Sequence, residues 1–162
     1  MIAHPPCTYL AVSGVQYWSR RTREQEEALE FVRLLLDAPV PRIAVENPVG
    51  CLSTKLRMPD QVINPWQFGH SVNKRTCLWL KNLPLLEPTE VVQTREPFSR
   101  NLSPTPFRGQ IRSITFRGIA KAMAEQWGSL TEYYPPSLAR IREYHNVMPQ
   151  VKHTVRKEFT VL

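Results

Sequence analysis

The spacing of apolar and polar residues predicts a strand, a helix and a second strand in the first third of the chain. Residues 1–4 form a short apolar run, and the Pro-Pro pair that follows is typical of the end of a buried strand. In Thr22–Asp37 the apolar residues recur at helical spacing and the acidic residues come early, so we expect a helix. Residues 42–46 (RIAVE) precede an Asn-Pro pair and predict a second buried strand. This order predicts one parallel crossover unit of an α/β fold.

The rest of the chain predicts shorter elements separated by loops that are rich in proline. With 15 prolines, we expect short elements and long connections. Residues 50–69 are interpreted as a loop, and residues 113–128 as a loop followed by a helix that ends at Gly128. The remaining expected elements are a strand at 75–80, an edge strand at 90–94, a short helix at 137–144 and a strand or tail at 151–162.

Composition indicates one globular domain. The chain has 162 residues, of which 42% are hydrophobic, and this is enough for a sizeable core. No apolar stretch approaches the length of a membrane span, and no leader pattern opens the sequence, so we expect a soluble cytoplasmic protein without a membrane partner. Three cysteines without close spacing argue against a disulfide framework and favour a reducing compartment.

The charge balance favours a polyanionic partner. The net charge of +7 makes nucleic acid, and DNA in particular, the first candidate, although the same charge can serve solubility alone. The basic run at residues 19–23 (SRRTR) is either a solvated helix start or a phosphate contact. The same two interpretations apply to three basic residues of the tail, Lys152, Arg156 and Lys157. The aromatic side chains of INPWQFGH either stack on a base or cover a sheet edge; they are Trp66, Phe68 and His70.

Two chemically capable side chains follow the first two predicted strands. Cys7 comes after the first strand and Glu46 ends the second, and the carboxyl ends of neighbouring parallel strands meet at one edge of a sheet. We therefore expect the thiol and the carboxylate to converge. For Cys7 the alternative is a buried structural thiol. For Glu46 the alternative is a helix cap or an ion pair with Arg42.

The other cysteines and the histidines do not predict a metal site. His4 and Cys7 are the one close pair with zinc-ligand character, whereas zinc sites take their ligands from two such pairs. Cys51 and Cys77 lie in apolar surroundings, so we expect both in the core.

The segment PPCTYLAVSG followed by AVENPVG resembles the catalytic half of DNA cytosine-C5 methyltransferases, particularly the short type borne by phages. PDQVINPWQFGH, KRTCLWLKNLP and TFRGIAKAMAEQWG resemble the phage members as well. The resemblance implies a partial Rossmann-like methyltransferase fold of the α/β class, with a mostly parallel sheet and Pro-rich loops. Residues 1–128 correspond to a catalytic domain that lacks the first strands of the family, and residues 129–162 to a C-terminal helix and basic tail.

The resemblance also implies roles for individual residues. Cys7 is the nucleophile that attacks carbon 6 of a flipped-out cytosine, and Glu46 holds ring nitrogen N3. Pro6, with the proline before it, stiffens the loop that aims the sulfur, and Asn47 pins the loop of the carboxylate. Lys74 or Arg75, just before the third strand, contacts the base carbonyl or a phosphate.

The cofactor that the resemblance implies is S-adenosylmethionine. The Gly-rich segment that binds it in the family has no counterpart in this sequence, so we expect another chain to supply the donor site. A sheet without its first strands would expose a hydrophobic face, which predicts a homo-oligomer or a complementary chain. Three interpretations remain: an enzyme half, a truncated gene product, or a pseudoenzyme that binds nucleic acid, a nucleotide or a protein, for example as a phage interference factor.

Overall fold

The computed structural model describes residues 1–98, 106 and 108–130, and they form an α/β fold. The strands are β1 Ile2–Ala3, β2 Ile43–Pro48, β3 Gln61–Ile63, β4 Val72–Asn73, β5 Thr76–Lys81 and β6 Glu96–Pro97. The α-helices are α1 Thr22–Asp37, α2 Leu52–Lys55, α3 Arg108–Ser113 and α4 Arg117–Gly128. Two 3₁₀ helices, Val12–Arg20 and Pro65–Gln67, complete the described elements.

The main sheet is mixed and has the strand order β1-β2-β5-β3. β1 runs parallel to β2, whereas β5 pairs antiparallel with both β2 and β3. The expected α/β class is therefore confirmed. The expected mostly parallel sheet is not, because two of the three strand pairings are antiparallel. A parallel return needs a crossover of about a dozen residues, usually a helix. Between β2 and β5 the longest helix is the four-residue α2, so the chain comes back antiparallel.

One face of the main sheet packs against α1. The long amphipathic helix has its apolar stripe on this face, and its ends coincide with the predicted bounds. Trp79 is fully buried here, and its indole N–H donates to the carbonyl of Arg57 at 2.8 Å, so the ring leaves no unpaired donor in the core. The buried side chains of this cluster are Leu10, Leu29, Val32, Ile43, Val45, Cys51, Leu52, Cys77 and Trp79.

The opposite face, which the sequence analysis expected to be exposed, is covered. Helix α4 packs Ile119, Ala122 and Met123 against this side of the sheet, because its small and apolar residues fall on one stripe. The loop between β5 and β6 adds the buried Leu86. The expectation of an uncovered sheet face is therefore wrong, because later segments of the same chain fold onto it.

Several local predictions differ from the structure. Residues 90–94 do not form a strand. They lie alongside the loop after β3, where the Gly69 N–H donates to the Glu90 carbonyl and the Val92 N–H donates to the Trp66 carbonyl, both at 2.8 Å. The predicted helix at 137–144 and the segment 151–162 lie outside the described residues.

No helix in the described part of the chain is both long enough and apolar enough to cross a membrane.

Candidate active site

The loops that follow β1 and β2 leave the sheet side by side. The two strands are parallel, with Ile2 opposite Ala44 and Ala3 opposite Val45. Continuing this register by one residue places His4 beside Glu46. The imidazole of His4, directly after β1, and the side-chain carboxylate of Glu46, two residues before the end of β2, thus meet.

Backbone and side-chain contacts tie the two loops together. The amide of Asn47 donates to the Pro5 carbonyl at 2.9 Å, and the Cys51 N–H donates to the Leu10 carbonyl at 2.8 Å. Gly50 lies against this second crossing, and a Cβ at that position would come within 1.9 Å of the Leu10 oxygen. Only glycine allows the backbones to approach this closely. Cys7 lies between the two clamped points, so its loop is held at both ends.

Cys7 is a free, partly exposed thiol at the start of a turn. Its carbonyl accepts hydrogen bonds from the N–H groups of Leu10 at 3.1 Å and Ala11 at 2.9 Å. Of the two prolines before it, Pro5 is buried and Pro6 is exposed. Cys7 is therefore half-buried, and it does not belong to either buried core cluster.

Glu46 is nearly buried and paired with histidine. Its side chain is 12% exposed, and its Oε2 atom lies 2.6 Å from Nδ1 of His4, whose side chain is 42% exposed. This pairing raises the pKa of His4 above its ordinary value of 6.5, chiefly through the hydrogen bond to Glu46 and against the effect of partial burial. The expected alternative partner, Arg42, instead donates to the carbonyl of Leu130.

Lys74 contributes a cation to the same neighbourhood. Its ammonium group donates to the Arg112 carbonyl at 2.8 Å and lies 5.4 Å and 5.6 Å from the ring centroids of Phe98 and Phe116. Burial lowers the pKa of Lys74 below its ordinary value, whereas negative charge at Glu46 and Cys7 opposes this shift. Lys74 thus interacts with both of the proposed catalytic groups.

Arg75 does not share the position of its neighbour. Its side chain is exposed, and it directly follows Lys74 at the start of β5, where its charge acts on the buried thiol of Cys77. The sequence analysis left open which of the two basic residues serves the site. Lys74 is partly buried, with the charges of Glu46 and Cys7 acting on it, whereas Arg75 is exposed.

The remaining candidates divide between core and surface. Cys51 and Cys77 are buried, as expected, and burial raises the pKa of both thiols. Phe68 is a core residue, and Nε2 of His70 accepts a hydrogen bond from the Gly118 N–H at 3.0 Å, at the start of α4. Trp66 remains at the surface, with the guanidinium of Arg95 3.8 Å above its ring.

Sequence reasoning missed His4 as a partner of Glu46 and considered it only as a zinc ligand. The available signal was the alignment of the two predicted strands. If they pair in parallel, the last residue of the first predicted strand, His4, lies beside the last residue of the second, Glu46. Within the described residues, no group of three or more His, Cys, Asp or Glu side chains is arranged to hold a metal ion.

The described residues do not fit S-adenosylmethionine. Two surface hollows lie beside Met1 and Arg42, and their lining is mostly apolar, with no carboxylate to take ribose hydroxyls. The space beside two glycines of the described chain is occupied by backbone and not open to a ligand. The Leu10 backbone lies against Gly50, and the Phe68 backbone lies against Gly118.

The loop of Cys7 is thus tied to the strand that carries Glu46, the Glu46 carboxylate pairs with His4, and the charges of Glu46 and Cys7 act on the partly buried Lys74. Such a set can add to an electron-poor ring and protonate it as it does so. The chain matches no known family model, no curated protein and no solved structure. The geometry of the site is consequently what bears on its function.

Proposed function

We propose that this chain performs the covalent step of DNA cytosine-C5 methylation, with Cys7 as the nucleophile and Glu46 as the group at N3. The observation that carries the proposal is the pairing of β1 with β2, which puts His4 against Glu46, together with the Asn47–Pro5 bond that ties the loop of Cys7 to β2. The methyl donor, S-adenosylmethionine, is held by another chain.

The chemistry explains why these groups belong together. The thiolate of Cys7 forms a bond to carbon 6, and the ring takes up a proton at N3 from the protonated carboxyl of Glu46. Carbon 5 then has the character of an enamine and can accept an electrophile. When solvent water takes the original hydrogen of carbon 5 as a proton, the ring double bond re-forms and the sulfur is expelled as thiolate. The N3 proton returns to the carboxylate, so the site ends as it began.

The charge of the chain supports DNA as the substrate. A net charge of +7 favours the phosphate backbone, and a cytosine must leave the duplex to reach a side-chain nucleophile. Lys74 is partly buried and its charge is coupled to that of Glu46, so we assign it the contact with the base carbonyl. The exposed Arg75 is better suited to a phosphate.

The test is covalent trapping on a DNA oligonucleotide that contains 5-fluorocytosine. Fluorine cannot leave carbon 5 as a cation, so the protein remains attached after methyl transfer. We expect a protein–DNA adduct that requires S-adenosylmethionine and a donor-binding partner chain, that mass spectrometry maps to Cys7, and that is lost in Cys7→Ser. A Cys51→Ala variant, which removes a buried thiol, should retain the adduct. Absence of any donor-dependent adduct at Cys7, with candidate partner chains present, would exclude the function.

A binding protein without catalysis is the second candidate. Two observations favour it: the described residues do not fit the methyl donor, and the Lys74 ammonium is already engaged by the Arg112 carbonyl. Such a pseudoenzyme would bind nucleic acid, a nucleotide or a partner protein, for example as a phage interference factor. A Cys7→Ser variant with its full biological effect would support binding over catalysis.

A further inference from the structure

The contact between His4 and Glu46 is shorter than the hydrogen bonds of Lys74 and Asn47 in the candidate site. The Nδ1–Oε2 distance of 2.6 Å is that of a strong charge-assisted hydrogen bond. The carboxylate is the more buried partner, and the imidazole reaches toward solvent. A mostly buried acid is thus hydrogen-bonded to a more exposed imidazole.

The backbone of His4 is restrained on both sides. β1 ends directly before it, and Pro5 follows it with its carbonyl held by the Asn47 amide at 2.9 Å. Proline fixes one backbone torsion of its own residue and restricts the residue before it. The imidazole is therefore presented from a fixed position, whereas the terminal torsion of the Glu46 carboxyl group is soft.

We propose that His4 is a positioning residue that supplies Glu46 with the proton it gives to the pyrimidine ring. The inference rests on the function proposed above. The bond between Nδ1 and its proton breaks as Oε2 of Glu46 takes that proton, which leaves a neutral imidazole and a neutral carboxyl group. Rotation of the carboxyl group then carries the proton to N3 as the sulfur adds to carbon 6. Both transfers reverse when the sulfur leaves.

Two charged groups act on His4: Glu46, which faces it from β2, and Lys74, which lies just before β5. The charges of Glu46, Cys7 and Arg112 act in turn on Lys74. The Lys74 cation disfavours the protonated imidazole and Glu46 favours it, and the effect of Glu46 is the larger. The imidazolium form of His4 therefore persists to a higher pH than that of an ordinary histidine.

The distinguishing variants are His4→Asn and His4→Ala. Asparagine places an N–H donor near the position of Nδ1, so it keeps a hydrogen bond to Glu46 but has no proton to give. Alanine removes both functions. Thermal unfolding of each variant shows whether it is folded, so a purely structural loss is recognised before rates are compared.

The reaction to follow is exchange of the cytosine C5 hydrogen with solvent deuterium in a DNA oligonucleotide. Exchange requires addition at carbon 6 and protonation at N3, but no methyl donor. We expect His4→Asn to exchange roughly 100-fold more slowly than the wild type below pH 6.5, the low end for a positioned proton donor. The ratio should fall toward one as pH rises past the pKa of His4, because the wild type then lacks the proton as well.

Two results would overturn the inference. If the wild type exchanges in a Cys7-dependent manner and the ratio to His4→Asn does not vary with pH, His4 is structural and only the inference fails. If the wild type shows no Cys7-dependent exchange at any pH, the proposed function fails and this inference fails with it. An NMR titration of the His4 ring tests the pairing separately, because Glu46→Gln should lower its pKa toward 6.5.

Discussion

The side-chain amide of Asn47 donates a hydrogen bond of 2.9 Å to the backbone carbonyl of Pro5, and this bond joins strand β2, which carries Glu46, to the loop of Cys7. Asn47 is only 1% exposed, so the bond is shielded from water. The sequence analysis gave Asn47 the role of pinning the carboxylate loop. In the structure Glu46 and Asn47 lie in β2 and not in a loop, and the buried Asn47 side chain holds the loop of Cys7 instead.

Removing this bond should destabilise the fold. Asn47→Ala leaves the carbonyl of Pro5 buried without its donor, and we expect the free energy of unfolding to fall by about 1–3 kcal/mol. Urea denaturation measures the loss. The exposed Asn73→Ala is the matched control and should change stability by no more than about 0.5 kcal/mol. Equal effects of the two substitutions would contradict a structural role for the Asn47–Pro5 bond.

The second connection between the loops predicts intolerance at Gly50. In Gly50→Ala the new Cβ would lie 1.9 Å from the Leu10 oxygen, so one of the two backbones must move. We expect a loss of about 3 kcal/mol, as for severe overpacking. Gly128→Ala adds a Cβ with no heavy atom within 4 Å and should be close to neutral. Comparable melting temperatures for both variants would show that the loops do not cross as described.

The first helix and the strand cores could be predicted from sequence because their signals are local. Thr22–Asp37 has the helical period over 16 residues, which no strand could satisfy, and its bounds were predicted correctly. The strand predicted at 75–80 was displaced by one residue from β5, Thr76–Lys81. Strand direction was not predictable in the same way, because an apolar run has the same pattern whichever way its neighbour runs.

The connection between β2 and β5 could not be predicted, because contacts distant in sequence determine its shape. β3 exists as a strand only through its pairing with β5, and its three residues are too few for a periodic signal. The candidate site was partly predictable for a similar reason. Placing the loop of Cys7 next to the strand of Glu46 needed only the strand order, whereas the pairing of His4 with Glu46 needed the register.

Two glutamines should contribute unequally to the loop that covers the second sheet face. The Gln61 amide bonds both the N–H and the carbonyl of Leu86, each at 2.8 Å. The Gln126 amide likewise bonds the N–H and the carbonyl of Glu87, at 2.8 Å and 2.9 Å, but this second pair is exposed. Water can replace the exposed bonds more easily than the partly buried ones. We therefore expect Gln61→Ala to cost about 1–3 kcal/mol and Gln126→Ala less than about 1 kcal/mol.

Urea denaturation of the two single variants tests this ranking. A larger loss for Gln126→Ala would mean that Glu87, and not the buried Leu86, anchors the loop. The double variant is informative as well. Leu86 and Glu87 are adjacent, so the two losses should not simply add.

The His4–Glu46 contact predicts how stability depends on pH. The pKa of His4 in the folded protein lies above its unfolded value of 6.5, so folding takes up protons in the interval between these values. The stabilisation by this pair is fully present below pH 6.5 and is lost as pH rises through the folded pKa of His4. Solvent screening reduces its size, because the imidazole is 42% exposed.

The measurement is the difference in unfolding free energy between the wild type and His4→Asn across this pH interval. We expect the difference to be largest below pH 6.5 and to diminish above it, because the wild type loses its imidazolium while the variant has none. Glu46→Gln should flatten the wild-type curve in the same interval, since it removes the partner that holds the proton. A difference that grows with pH would mean that the neutral ring is the form stabilised by folding, and it would contradict the ion pair on which the proton-supply role of His4 depends.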